Sequence, residues 1–126
     1  RIRVTKKNKL ISSILVTGGP KFNSPRKNNI FQEYITVSNL TEANIRKFGS
    51  AALNLSYVAA GRFDAYWEWE LNLWDIAAGI IILKEAGGYI EFMEPEAPTS
   101  FKRNVISSNS SIHEELKALL VKKNIE

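Results

Sequence analysis

The sequence predicts an α/β fold, a mixed sheet flanked by helices, and three observations carry that reading. Strand and helix patterns alternate along the chain. Residues 63–70 alternate apolar and polar side chains with the period of a strand. A longer apolar run headed by Asp75 stops at Gly87-Gly88, as a buried helix does.

Each element has its own signal. Ile2 and Val4 alternate with charged residues, which predicts a half-exposed strand. Residues 10–16 predict a second strand, ended by a Thr17-Gly18-Gly19-Pro20 turn, and the polar residues 21–29 predict a loop. Ile30, Phe31, Tyr34, Ile35 and Ser38 follow helical spacing. A short strand suits residues 45–48. Ser50 caps a helix carrying Ala51, Ala52, Leu55, Val58 and Ala59, and Gly61 stops it. In the strand that follows, Phe63, Ala65, Trp67 and Trp69 share one face, and Asp64, Tyr66, Glu68 and Glu70 the other. Residues 75–86 contain a β-prone Ile80-Ile81-Ile82-Leu83 run. Their length, the leading Asp75 and the small Ala77-Ala78-Gly79 step favour a helix. Residues 89–93 predict a strand, residues 94–100 a Pro-containing loop and residues 105–107 a last strand. Ser111 and Glu114 form a capping box for a terminal helix with Leu116, Leu119 and Leu120. With no internal repeat or low-complexity segment, residues 1–126 read as one domain.

Composition excludes several classes. The 126 residues are 44% hydrophobic and 24% charged, enough to build a core and too apolar for intrinsic disorder. The longest apolar stretch, residues 76–83, falls far short of the roughly 20 residues a spanning helix needs. The absence of cysteine removes disulfides, thiolate metal sites and a thiol nucleophile, and fits a cytoplasmic protein. No signal peptide is legible at the start. Arg1 opens the chain without a methionine and inside an alternating pattern, so a fragment lacking its preceding half is expected.

The formal charge of +4 hides an asymmetry. Residues 1–32 hold eight basic groups and no acid, while the remainder holds nine basic groups and thirteen acids. Such an end can meet nucleic acid or phosphate, and the plain alternative is a solvated strand and loop. No aromatic residue precedes Phe22 there, which argues against a base-stacking platform.

Three places set polar groups beside small residues. Gly49-Ser50-Ala51-Ala52 presents free backbone N–H groups at a helix start, either as a plain cap or as an anion or hydroxyl site. Tyr66, Glu68 and Glu70 share a strand face, where the like charges repel unless solvent or a cation lies between them; taken alone, the pattern reads as an exposed sheet face. Asp75 after Trp74 suits the dipole of a helix N-terminus, and it equally suits a hard Mg²⁺ ligand. His113, the single histidine, reads as a surface residue, and no Ser-His-Asp arrangement, P-loop or dinucleotide glycine motif is legible.

Trp74-Asp75-Ile76-Ala77-Ala78-Gly79, followed by Glu85-Ala86-Gly87-Gly88, resembles the C-terminal signature of the inositol monophosphatase family. Ile45-Arg46 with Gly49-Ser50-Ala51-Ala52-Leu53, then Tyr57, Gly61 and Asp64, is similar to the helix and turn that precede it in that family. Leu15-Val16-Thr17-Gly18 with Pro20, and Val105-Ile106 with Ser108-Asn109, also resemble family segments. The resemblance spans the chain but only the family's C-terminal half, and bacterial extragenic-suppressor proteins are nearest in character. It implies the C-terminal, substrate-side domain of the αβαβα sugar-phosphatase fold and a Mg²⁺-dependent, lithium-sensitive phosphomonoesterase. On that resemblance Asp75 binds a magnesium ion and approaches the substrate, Glu68 accepts a hydroxyl of the polyol, and Gly49, Ser50 and Ala51 line the substrate pocket. A polyol phosphate such as inositol 1-phosphate is the implied substrate, a homodimer the implied assembly, and RNA polymerase or RNA a further partner. Nucleotide 3′-phosphates, sugar bisphosphates and histidinol phosphate are alternative substrates, and a non-enzymatic antitermination role is an alternative function. The family's upstream Glu and D-P-x-D-G-T ligands have no counterpart here, so this chain alone is expected to be catalytically silent. Asn72 stands where animal members carry His, which leaves the identity of the polyol open.

Overall fold

The computed structural model describes residues 1–18, 27–41, 44–93 and 101–125. There the alternation resolves into β1 (Ile14–Thr17), α1 (Lys27–Thr41), β2 (Asn44–Lys47), α2 (Ala51–Ala59), β3 (Ala65–Asn72), α3 (Leu73–Glu85), β4 (Tyr89–Phe92), β5 (Lys102–Ser108) and α4 (His113–Ile125). The order of these elements matches the predicted alternation. The strands form an open mixed sheet ordered β2-β1-β3-β5-β4. β1 runs parallel to both β2 and β3, whereas β5 runs antiparallel to β3 and β4.

Strand alternation divides the core into two layers. Leu15, Ala65, Trp67, Trp69 and Ile106 meet Val37 of α1 and Leu116 and Leu120 of α4 on one face. Val16, Tyr66 and Val105 meet Leu55 and Val58 of α2 and Ile76 and Leu83 of α3 on the other. Trp67 and Trp69 are thus core residues. The Tyr66 face, read as exposed, is covered by α2 and α3: Tyr66 is 0% and Glu68 8% exposed.

Several boundaries differ from expectation for identifiable reasons. Residues 1–9 form no strand; they run as a strap whose Val4 N–H donates to the Ala86 carbonyl at 3.1 Å, and Val4 packs on the core. Leu10 to Ser13 form a turn closed by Ser13 N–H on the Leu10 carbonyl, and Ser12 at φ +68° interrupts the extended run. Residues 27–29, expected in a loop, open α1, while the rest of that loop and residues 94–100 lie outside the described residues. β3 starts at Ala65, two residues after Phe63, whose ring stacks on Phe48 at 5.7 Å. The Ser111 capping box is not used: the Ile112 carbonyl accepts the first helical bond from Leu116 N–H, and Asn109 Oδ1 accepts from Ile112 N–H.

α3 ends as its Gly-Gly sequence predicts. Gly87 adopts φ +90° and donates to Lys84, and Gly88 donates to Leu83, the paired bonds of a Schellman motif. At the middle of α3, a Cβ on Gly79 would lie 2.9 Å from Leu55 Cβ, so glycine is what lets α2 and α3 touch. That contact sets their N-termini side by side.

Candidate functional site

Because β1, β2 and β3 are parallel, their C-terminal ends share one edge, where α2 and α3 begin. A crevice at that edge is the usual ligand position in open α/β sheets. A cavity of about 340 Å³ occupies it, lined by Gly49, Ser50, Ala51, Glu68 and Asp75 together with Glu70, Asn72 and Lys102. The five residues that the family resemblance assigns to the site therefore line one cavity.

The α2 wall is built by its cap. Ser50 is extended at φ −100° and ψ 110°, and its Oγ accepts from Leu53 N–H at 3.2 Å. Buried Asn54 donates to the Phe48 carbonyl at 3.1 Å, which holds the approach to Gly49 and Ser50. The floor is Glu68, whose Oε1 accepts the Tyr66 hydroxyl at 2.5 Å. Its carboxylate lies over the backbone of Gly18 at the end of β1, where a Cβ would stand only 2.1 Å from Oε1. Burial first, and the adjacent Glu68 charge second, push the Tyr66 phenol far above its ordinary value, so it stays a donor.

Asp75 sits exposed in the first turn of α3, where the helix dipole favours its charge. Asn72 Nδ2 donates to its Oδ2 at 3.3 Å. As a hard, exposed oxygen donor on a rigid helix end, Asp75 fits one ligand position of Mg²⁺. Among the described residues no group of three His, Cys, Asp or Glu side chains is placed to hold a metal ion. The donor set fits one edge of a magnesium site and not a whole one.

One lining residue, Lys102, escaped sequence reasoning, and Glu70, grouped with Glu68 on one strand face, sits in an irregularity that the alternation does not show. β3 carries a register shift between Glu68 and Leu71, and Glu70 within it adopts φ +63° with its N–H donating to Asn104 Oδ1 at 2.9 Å. The bulge inverts the strand's parity, so Leu71 joins the Tyr66 side of the core. An apolar Leu71 on what strict alternation makes the Trp69 face follows no broken pattern, so the available signal was slight. Lys102 begins β5 beyond the undescribed 94–100 segment, and no local pattern ties it to the cavity.

His113 corrects its expected surface position, being 2% exposed at the start of α4. Its Nδ1 pairs with Ser108 Oγ at 2.9 Å and its Nε2 with Glu91 Oε1 at 3.1 Å. The ring also meets Tyr89 edge-on at 4.5 Å. Ser108 is fully buried, so this Ser-His-Glu chain ties α4 to β4 and β5 and offers no accessible nucleophile.

No described helix is long and apolar enough to cross a membrane. Comparison with known proteins agrees with the geometry. The model of the inositol monophosphatase family matches residues 1–125. An inositol-1-monophosphatase of Caulobacter vibrioides is 38% identical over 117 residues, covering 92% of this chain and 45% of that protein. Nus factor SuhB of Pseudomonas aeruginosa is 34% identical over 121 residues, covering 92% of this chain and 43% of that protein. The crystal structure of extragenic suppressor protein suhB from Bartonella henselae superposes with a TM-score of 0.85 at 38% identity, covering 97% of this chain and 46% of that one. The chain therefore spans less than half the length of these relatives. On its sequence and its fold alike, the chain belongs to the inositol monophosphatase family.

Proposed function

We propose that this chain is the substrate-side half of a Mg²⁺-dependent phosphomonoesterase that hydrolyses inositol 1-phosphate or a similar polyol phosphate. The observation that carries the reading is the convergence of Gly49, Ser50, Ala51, Glu68 and Asp75 on one cavity. Asp75 supplies one oxygen ligand to the metal from the end of α3. Glu68, kept in place by Tyr66, accepts a hydrogen bond from a ring hydroxyl of the polyol. The backbone N–H groups at the start of α2 take an oxygen of the substrate. Mg²⁺ in such a site activates a water and offsets charge on the phosphoryl group.

The remaining ligands come from a second half that this chain lacks. Its docking face is the outer side of α2 and α3, which leaves Leu53, Trp74 and Ile81 exposed, the last two at 63% and 64%. Apolar exposure on that scale marks a surface covered in the assembled protein. The full assembly is read as a lithium-sensitive homodimer.

The test is phosphate release from inositol 1-phosphate with Mg²⁺, using this chain joined to the N-terminal half of a family member. The joined protein turns over, the chain alone does not, and Asp75→Asn in the joined protein loses at least a hundredfold in kcat. Steady turnover by the chain alone, or full activity in the variant, refutes the reading. A second reading is favoured by the relatives named as Nus factor SuhB, an antitermination role with RNA polymerase or RNA as partner. It predicts complex formation that survives Asp75→Asn.

A further inference from the structure

At the N-terminal ends of β1 and β3, the far end of a strand about 23 Å long, lies a second opening of about 520 Å³. Lys6, Lys7 and Arg62 line it, with Asp64 as the single acid. Asp64 is 4% exposed, and both its oxygens are engaged: Oδ1 accepts from Thr5 Oγ1 at 2.5 Å and Oδ2 from Ile14 N–H at 2.7 Å. The three cations outweigh it, so the opening is electropositive.

The strap that carries the lysines has no regular secondary structure, yet it is fastened at successive residues. Arg3 donates to the Glu85 carbonyl at 3.1 Å, and Val4 N–H to Ala86. Asn109, 3% exposed, donates to Thr5 Oγ1 at 2.9 Å and to the Lys7 carbonyl at 2.7 Å. Two buried polar side chains, Asp64 and Asn109, thus hold a segment whose Lys6 and Lys7 side chains face solvent. Across the opening, the Arg62 guanidinium rests 5.2 Å from the centre of the Tyr57 ring. The backbone that carries the lysines and the Arg62 guanidinium are held in place before any ligand arrives, which lowers the ordering cost of binding.

The geometry points to a binding site for a compact anion bearing two or more phosphate groups, separate from the cavity of Asp75. Cations converging on one opening suit clustered phosphates, whereas an extended nucleic-acid backbone needs a row of them. The lining holds no aromatic ring, so it offers no stacking surface for a base. This inference does not rest on the proposed phosphatase activity.

The probe is inorganic pyrophosphate, titrated calorimetrically into the full chain without divalent metal. The expected result is one site whose affinity falls at least tenfold in the Lys6→Met/Lys7→Met double variant and in Arg62→Met. Lys102→Met, which alters the other cavity, leaves it unchanged. The Arg62 variant keeps the test intact if the double variant does not fold. Pyrophosphate affinity that survives both changes, or that is lost in Lys102→Met, overturns the proposal. So does a duplex RNA that binds more tightly than pyrophosphate and is lost in the same lysine variant, which assigns the patch to nucleic acid.

Discussion

The Tyr66 hydroxyl donates to Glu68 Oε1 at 2.5 Å, and the Glu68 carboxylate lies over Gly18, the residue that follows the neighbouring strand β1. The two side chains lie on one face of β3, and Asn54 of α2 also reaches the phenol. Glu68 is therefore aimed by a donor on its own strand, by the missing side chain of Gly18 just past β1, and through Asn54 by the helix that forms the wall of the cavity. Tyr66→Phe removes the donor and leaves a buried carboxylate oxygen short of a partner. The expected loss is about 1–3 kcal/mol of folding stability, read from urea midpoints. An unchanged midpoint means that Glu68 is held by other contacts.

The same pair sets an alkaline limit. Burial, reinforced by Glu68, raises the folded Tyr66 phenol above its unfolded value of about 10. The folded state therefore keeps a proton that the unfolded chain releases. The contribution is complete below about pH 10 and declines as pH rises beyond it. Urea midpoints are expected to fall above that pH in the wild type, and Tyr66→Phe is expected to flatten the fall. An equal slope in both proteins assigns the effect to other groups.

At the other edge of the sheet, Glu91 accepts from Lys117 Nζ at 2.8 Å and pairs with His113 Nε2 at 3.1 Å. Burial alone would raise the Glu91 carboxyl, but the bonds from Lys117 and His113 outweigh it and leave it lowered. Its bond to Glu91 in turn raises Lys117. A lowered carboxylate stabilises the fold above its unfolded value of about 4.3 and loses that contribution as pH falls through the folded one. The pair is partly exposed, so Glu91→Gln costs at most about 1 kcal/mol at neutral pH. Midpoints at pH 6 and pH 3.5 check this: the gap between wild type and variant narrows at the lower pH. A gap that widens contradicts the sign.

Legibility followed the range of the physical signal. The Ser50 cap, the Gly87-Gly88 stop and the alternation from Ala65 to Trp69 are local, and the structure keeps each of them, whereas Phe63 packs with the Tyr66 layer before the strand begins. Gly49, Ser50, Ala51 and Asp75 were marked by a small-residue helix start and an acid at a helix end, Glu68 by a polar strand face, and the resemblance selected among the readings that those local patterns left open. Burial of Tyr66 and His113 was not local. It depends on α2 and α3 covering one sheet face and on β4 and β5 meeting α4, contacts that join residues far apart in the chain. The bulge at Glu70 carries no local signal, and a one-residue irregularity inverts every later face assignment on that strand, so Leu71 joins the Tyr66 side. Lys102 enters the cavity only through the pairing of β5 with β3.

Gly79 carries the last prediction, because the cavity exists only while α2 and α3 stay in contact. A Cβ there would stand 2.9 Å from both Cβ and Cδ1 of Leu55. Leu55 is fully buried and cannot swing away, so Gly79→Ala forces the helices apart and costs about 1–3 kcal/mol. Leu55→Ala alone leaves a cavity and costs about 2–5 kcal/mol. Combined, the Cδ1 overlap disappears while the close approach to Cβ remains, so part of the strain is relieved and the double variant is more stable than the sum of the single losses requires. A double-mutant cycle measured by urea unfolding reads this as a coupling of about 0.5–3 kcal/mol. Simple additivity would mean that the two side chains do not share the contact that aligns both helix N-termini on the cavity.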